Sequence, residues 1–363
     1  MPDVLVFGAT GYTGKLVSHA LAERGAGFAI AGRNRDKLEA LAAATGNPDV
    51  RVASVGDVDS LVSAAEDCRV LLTCVGPFAE FGWTAVEAAL RAKVHYLDST
   101  GEGAFVGELI NKHDAAAREA GIAMAPAIGF DEVPGDVAAT LAAEGFDQPD
   151  VVLTYAMPPS ASHGTIKSTL RIMTGRGPWV IDGKQVSISA GQHSRWAPMP
   201  PPLGPKPSVS FPFANGYLVP LHIDVNSLRL YITTSPAQRL GLKPMLPLIR
   251  AGFAMPGVRS LVELGVTKLQ RIEGPDDRQR KQWWTILAEA RSGDHWRNVT
   301  IMGRDVYGLT AELLASTAMK MAQEGYERSG VLAPVQAADV DWLEKRLLEC
   351  DCSIETYAPT TSA

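Results

Sequence analysis

Four apolar residues, Val4-Leu5-Val6-Phe7, run directly into Gly8-Ala9-Thr10-Gly11-Tyr12-Thr13-Gly14, and a helical pattern begins at Lys15. A strand that breaks at closely spaced glycines and restarts as a helix is a pyrophosphate-binding turn: the glycines let backbone approach the anion, and the unpaired N–H groups of the helix N-terminus face it. The spacing is G-x-x-G-x-x-G rather than G-x-G-x-x-G, yet the strand before it and the helix after it supply the context that the motif needs. The expectation is a dinucleotide site; a mononucleotide turn or a purely structural turn is the alternative.

The end of the second strand discriminates between dinucleotides. Phe28-Ala29-Ile30-Ala31-Gly32 reads as that strand, and where an NAD site places an acid for the ribose 2′-hydroxyl this chain has Arg33-Asn34-Arg35. A guanidinium there pairs with a 2′-phosphate and stacks on adenine, which favours NADP(H). The plainer reading makes Arg33 and Arg35 solvated charges ahead of a helix that Asn34 caps. Asp36 lies too far into that helix to be the ribose acid.

Strand and helix patterns keep alternating: strands at 51–55, 70–75, 94–97 and 122–127, helices at 60–66, 84–91 and 105–119. Period-2 segments follow at 151–155, 179–181, 218–223, 228–233, 284–290 and 297–302, and then helices at 307–328 and 339–349. The fold class is therefore α/β. It has an N-terminal Rossmann-type doubly wound parallel sheet over residues 1–147 and a second α+β domain on a mostly antiparallel sheet over 148–305. C-terminal helices over 306–363 follow, at least one packing back on the Rossmann domain. The proline-dense stretch 197–212 reads as an extended surface loop or lid. Residues 240–266 are apolar but interrupted by Lys243, Arg250, Arg259, Glu263 and three prolines, so they do not span a membrane. Interdomain packing, peripheral membrane contact or a lipid-like substrate entrance are their readings.

The 363 residues suffice for two cores. A net charge of −6 without a basic stripe argues against nucleic acid as a partner. Cys68, Cys74, Cys350 and Cys352 form neither a disulfide framework nor a C-x-x-C motif, which points to a reducing, cytoplasmic setting. The first residues are already strand and phosphate turn, leaving no room for a signal peptide there. The seven histidines make no metal-ligand cluster, so no metal is expected.

In an open α/β sheet the ligand meets the C-terminal ends of the strands. Three loops qualify. Cys74-Val75-Gly76-Pro77-Phe78 would flank the nicotinamide ribose. In His95-Tyr96-Leu97-Asp98-Ser99-Thr100-Gly101-Glu102, residues Ser99, Thr100 and Gly101 are cofactor contacts. Gly129-Phe130-Asp131-Glu132-Val133-Pro134-Gly135-Asp136 is acidic beside an apolar strand. The competing readings are caps: Asp98 or Ser99 for the following helix, a capping box completed by Glu102, and Asp131 for a helix near Pro134.

Gly8-Ala9-Thr10-Gly11-Tyr12-Thr13-Gly14, Gly76-Pro77-Phe78 with Gly82, His95 to Glu102, and Gly129-Phe130-Asp131 with Pro134 and Asp136 resemble the saccharopine dehydrogenase-like oxidoreductases. Gly274-Pro275-Asp276, Tyr307-Gly308-Leu309-Thr310-Ala311 and Gly330-Val331-Leu332-Ala333-Pro334 are similar to that family's closing segment, so the resemblance spans nearly the whole chain. The branch it resembles includes mycobacterial trans-acting enoyl reductases, which act on lipid or polyketide intermediates. The resemblance also implies a homodimer through the second domain. A true saccharopine site needs a cluster of arginines; Arg171, Arg176 and Arg195 are the candidates, but their surroundings are apolar and proline-rich, favouring a less charged substrate.

The resulting expectation is an NADPH-dependent reductase of a polarised C=C bond on a hydrophobic or carrier-bound molecule. Tyr96, Glu102 and His95 are the proton-donor candidates and Asp131 an orienting carboxylate. No tyrosine is followed four residues later by lysine, which disfavours a short-chain reductase. An imine reductase or saccharopine-type amino-acid dehydrogenase, and a non-catalytic NADP(H)-binding sensor or assembly protein, are the alternatives.

Overall fold

A computed structural model describes residues 2–157, 175–235 and 282–359. Arg171, the 240–266 segment and Gly274-Pro275-Asp276 lie outside the described residues. The first elements are β1 (Val4–Phe7), α1 (Tyr12–Glu23), β2 (Phe28–Gly32), α2 (Arg35–Ala44), β3 (Asp49–Val52) and α3 (Val58–Ala65). Then come β4 (Val70–Thr73), α4 (Phe78–Ala92), β5 (His95–Asp98), α5 (Gly103–Ala120), β6 (Ala123–Ala125) and α6 (Val133–Ala143). The middle of the chain forms β7 (Asp150–Ala156), β8 (Arg176–Ile181), β9 (Lys184–Ser189), β10 (Ser194–Ala197), β11 (Lys206–Ser210), α7 (Asn215–Leu218), a 3-10 turn at Val219–Leu221 and β12 (Ser227–Thr233). It closes with β13 (Trp284–Ser292), β14 (His295–Gly303), α8 (Val306–Met321), β15 (Gly330–Val331), α9 (Pro334–Ala338), α10 (Val340–Glu349) and β16 (Ser353–Tyr357).

Two units result. The first comprises Met1–Gly101, Phe105–Val133 and Val306–Arg346; the second comprises Glu102–Ala104, Pro134–Asp305 and Leu347–Ala363. The boundary falls at Val133 rather than near residue 147, and the stretch after residue 305 is shared between the units.

The first unit is an all-parallel sheet in the order β15-β6-β5-β4-β1-β2-β3. Strand order reverses beside β1, the doubly wound arrangement. β1, β2 and β4 are buried at every position, as the runs VLVF, FAIAG and VLLT require when helices cover both faces. α8 packs on α1, β4 and β5, and Arg24 of α1 pairs with Glu312 of α8. β15 pairs with β6 through Gly330↔Ala123 and Val331↔Met124, so this sheet takes its edge strand from more than 200 residues downstream.

Among the described residues the second unit holds nine strands, with a main path β10-β11-β12-β7-β13-β14-β16 and β8 and β9 joined through β12. The β12–β7 pair is parallel and the others antiparallel. One register row, Leu230, Leu153, Ala288 and Val299, is wholly buried; the next, Tyr231, Thr154, Leu287 and Thr300, faces the opposite side.

Two expectations are corrected here. The 218–223 segment is helical, because Pro220 sits in the 3-10 turn, where a missing N–H costs nothing, and would break a ladder. Within the proline-dense stretch, Lys206–Ser210 is a paired strand. Pro207 lies opposite Trp196 at the start of β11, and pairing with β12 begins at Ser208, beyond the absent donor. Gly303 shows how tightly the second sheet closes: a Cβ there would lie 2.5 Å from Trp284 Cζ2 and 2.9 Å from Cys352 Sγ. Gly303→Ala is expected to destabilise the protein by about 1–3 kcal/mol, read as a fall in the urea midpoint.

Candidate cofactor site at the C-terminal edge of the parallel sheet

β1 ends at Gly8, whose φ of +82° turns the chain back under β2 with its N–H on the Ala31 carbonyl at 2.9 Å. The turn is packed at backbone distance. A Cβ on Gly8 would lie 2.5 Å from Val75 Cγ2; one on Gly14 would run into the Gly8 carbonyl oxygen, with Ala9 Cα at 2.8 Å. Gly11 is the N-cap of α1 and supplies no side-chain acceptor to the first turn. Those amides, with the positive end of the helix dipole, form the cradle expected for a pyrophosphate. Ala9 is buried, Thr10 and Thr13 border the turn half-buried, and Tyr12 meets Tyr307 of α8 edge-on at 5.1 Å. Gly14→Ala is expected to raise the NADPH dissociation constant by at least about ten-fold in a fluorescence titration, because the turn must open to admit the methyl group.

Beyond β2, Asn34 caps α2 by accepting from the Lys37 amide at 2.9 Å, and Arg35 pairs with Glu39 at 3.4 Å. Arg33 is exposed and makes no hydrogen bond or ion pair among the described residues. Of the three residues expected to read the ribose phosphate, the structure leaves Arg33 as the uncommitted cation.

The registers Phe7↔Thr73, Thr73↔Asp98 and Leu97↔Ala125 bring the ends of β1, β4, β5 and β6 side by side. After β4, Cys74 donates its amide to Phe7 and Val75 its amide to Thr73 Oγ1. Gly76 and Pro77 join through a cis peptide, and Gly76 is exposed. Phe78 points into the core against Phe105, so its ring is withdrawn from the cofactor contacts expected for this loop. Cys74 is no nucleophile: burial, and then the charge of Asp98, push its thiol up to about 12.

Asp98 is the residue that sequence reasoning underrated. Wholly buried, it accepts from Tyr96 Oη at 2.6 Å, the Thr100 amide at 2.8 Å and the Ala127 amide at 2.9 Å. It thereby ties the loops after β5 and β6 together, including Ser99, Thr100 and Gly101. Its only sequence signal was an acid closing an apolar strand.

The proton-donor candidates separate. His95 opens β5 at the edge away from the loops; its Nδ1 accepts from the Ala123 amide at 3.0 Å and its ring meets Tyr326 at 5.1 Å. Burial lowers its pKa. Tyr96 is 0% exposed, gives its hydroxyl to Asp98, and is pushed well up by burial. Both side chains are thereby bonded into the parallel sheet and its loops. Glu102, also buried, leads into α5 and belongs to the second unit. Asp131, expected as an orienting carboxylate rather than a proton donor, lies in the turn between β6 and α6, half-buried and with no hydrogen bond or ion pair among the described residues. Desolvation raises its carboxyl to about 6. Because the folded value exceeds the unfolded one, wild-type stability should fall as pH rises from about 4 past about 6. In Asp131→Asn that part of the fall should vanish, leaving the variant relatively more stable above pH 6 and not below pH 4 in melting curves.

A family profile described as the saccharopine dehydrogenase NADP binding domain matches residues 4–124. A trans-acting enoyl reductase of Mycobacterium leprae is 36% identical over 142 residues, covering 37% of this chain and 34% of that protein. A lipid droplet localized protein of Caenorhabditis elegans is 32% identical over 156 residues, 40% of this chain and 37% of that one. The match thus spans only about a third of the length of these curated relatives. The apo saccharopine dehydrogenase (L-Glu forming) of Saccharomyces cerevisiae superposes with a TM-score of 0.63 at 15% identity, covering 99% of this chain and 100% of that one, which establishes a shared fold. The fold and glycine turn define a Rossmann-type dinucleotide-binding protein. More particularly, residues 4–124 match the saccharopine dehydrogenase NADP binding domain, and the cofactor is NADP(H).

Proposed function

We propose that this protein is an NADPH-dependent oxidoreductase that reduces a polarised carbon–carbon double bond of a hydrophobic or carrier-bound small molecule. The observation that carries this reading is one sheet edge bearing both a phosphate-ready glycine turn and Asp131, a carboxyl desolvated enough to keep its proton up to about pH 6. Two relatives that match the nucleotide domain, one from Mycobacterium leprae and one from Mycobacterium tuberculosis, are trans-acting enoyl reductases by name, which supports the C=C class.

NADPH supplies a hydride when bound. The chain's residues do the rest: the first turn of α1 holds the pyrophosphate, Arg33 pairs with the 2′-phosphate, and the backbone of 74–77 walls one side of the nicotinamide ribose. At about 4.8 Å per strand, the end of β6 lies about 10 Å from the end of β4 along the sheet edge. Asp131 follows β6 in the turn before α6, and in this reading it is the acid that gives a proton to the carbon next to the one reduced.

Two of the arginines named for a substrate with several carboxylates are engaged within the second unit. Arg195 is committed to Glu289, with contacts of 2.8 and 2.9 Å, and Arg176 to Ser187 at 2.7 and 2.8 Å. Neither charge is available to bind a carboxylate without breaking these contacts.

The test is a titration with NADPH and NADH followed by an acceptor screen. Wild type should bind NADPH at least about ten-fold tighter than NADH, and Arg33→Ala should erase the difference. NADPH oxidation should then follow addition of octenoyl N-acetylcysteamine thioester and not of a cyclic imine. Equal affinity for both nucleotides would sink the Arg33 assignment. Turnover of the imine alone would move the protein to the C=N class, and binding without any turnover would favour a sensor.

A further inference from the structure

Asp131 closes a loop whose shape is held by groups far from it in sequence. Ala127 adopts φ +62°, a left-handed conformation that residues with a Cβ rarely take up. It persists because both sides of it are tied: its amide goes to Asp98 Oδ1, and the next amide, of Ile128, to the Asp98 carbonyl at 2.8 Å. Gly129 then bonds back to Ala127 at 2.9 Å, and the Val133 amide to Gly129 at 3.0 Å, so the chain reverses within six residues. Between these ties stands Phe130, whose amide donates to Thr310 Oγ1 at 3.1 Å.

Thr310 lies on α8, nearly two hundred residues downstream. Its hydroxyl donates to the Val306 carbonyl at 2.7 Å while accepting from Phe130, so one rigid helical turn sets where that amide sits. Its methyl group lies 3.5 Å from where a Gly129 Cβ would be, so the contact is packed as well as bonded. The same turn carries Tyr307, which meets Tyr12 of the glycine turn. The first turn of α8 therefore touches both the cofactor cradle and the loop that bears the acid.

We propose that Thr310 is a positioning residue that fixes the direction of the Asp131 carboxyl by anchoring the preceding amide. The proposal rests on the acid role given above to Asp131. Bound NADPH would supply the hydride and be oxidised to NADP+, losing one nicotinamide C–H bond, while Asp131 would give up its O–H proton; the substrate π bond would break, two C–H bonds would form, and the Asp131 carboxylate would recover a proton from solvent. Only an aimed carboxyl can do this efficiently, since small displacements of reacting groups cost large factors in rate. Among the described residues, the titratable groups on the elements next to the loop are Cys74, Tyr96, Asp98, Glu132, Asp136 and Tyr307, with Asp136 paired to His222 and Glu312 to Arg24. None of them contributes to the raised carboxyl of Asp131, which desolvation alone accounts for, so a shift on altering Thr310 would report a change in that carboxyl's surroundings.

The experiment compares wild type, Thr310→Val, Thr310→Ser and Asp131→Asn. In cofactor-free protein with carbon-labelled aspartate, NMR should show one carboxyl titrating near 6, absent from Asp131→Asn. In Thr310→Val that carboxyl should move toward the ordinary aspartate range. Turnover of octenoyl N-acetylcysteamine thioester should fall about ten-fold, with KM and NADPH affinity within about two-fold. Thr310→Ser, which keeps the hydroxyl, should restore both readouts. An unmoved titration in Thr310→Val overturns the proposal, as does a Ser variant that behaves like Val. Full activity in Asp131→Asn removes the acid role and, with it, the catalytic meaning of Thr310, while the titration still reports whether Thr310 orients the carboxyl.

Discussion

A carboxylate without access to water organises the working edge of the parallel sheet. Burying such a group costs several kcal/mol unless its lone pairs are met. Asp98 meets that condition with a phenol hydroxyl and two backbone amides drawn from its own strand and two different loops. Because the donors come from separate segments, none of the loops can relax without leaving the charge unpaired. The left-handed Ala127 is held by that carboxylate, Tyr96 gives it its hydroxyl, and its charge adds to the burial that suppresses the acidity of Cys74. Asp98 thus acts in the protein as a tie between the β5 and β6 loops.

The nucleotide half was legible in the sequence because its signals are local. An apolar strand, glycines at fixed intervals and a helix start are neighbours along the chain, and Phe28–Gly32 followed by Arg33 carries its own meaning. The second sheet was legible as a class, since period-2 alternation marks β7, β12, β13 and β14. What escaped were elements whose pairing is set by partners remote in sequence: β11 with its proline, the short β15 and the edge strand β16. At the candidate site, the glycine turn and the positions of Arg33 and the Asp131 loop just after strand ends were legible as local pattern. The separation of His95 and Tyr96 from that loop was not, because alternation along β5 says which face a side chain takes but not which end of the strand meets ligand or how deeply a ring is buried.

The first unit also shows why a sequence domain and a structural unit need not coincide. The family profile ends at residue 124, yet the sheet it describes is completed by β15, its helical layer by α8, and the loop beside its cradle by Thr310. These pieces act on the site through packing and one hydroxyl, which leaves a faint trace in sequence.

The late arrival of those pieces has a consequence for synthesis. While the chain is emerging from the ribosome, the first 133 residues can collapse into most of the parallel sheet, but β6 then presents an unpaired edge and α1 an uncovered flank until residues 306–331 follow. Contacts between segments this far apart carry a high loop-closure cost and form slowly. Open strand edges on partly folded chains are sites of misassociation. The nascent nucleotide half therefore has a window, lasting through translation of the whole second unit, in which chaperone capture competes with aggregation.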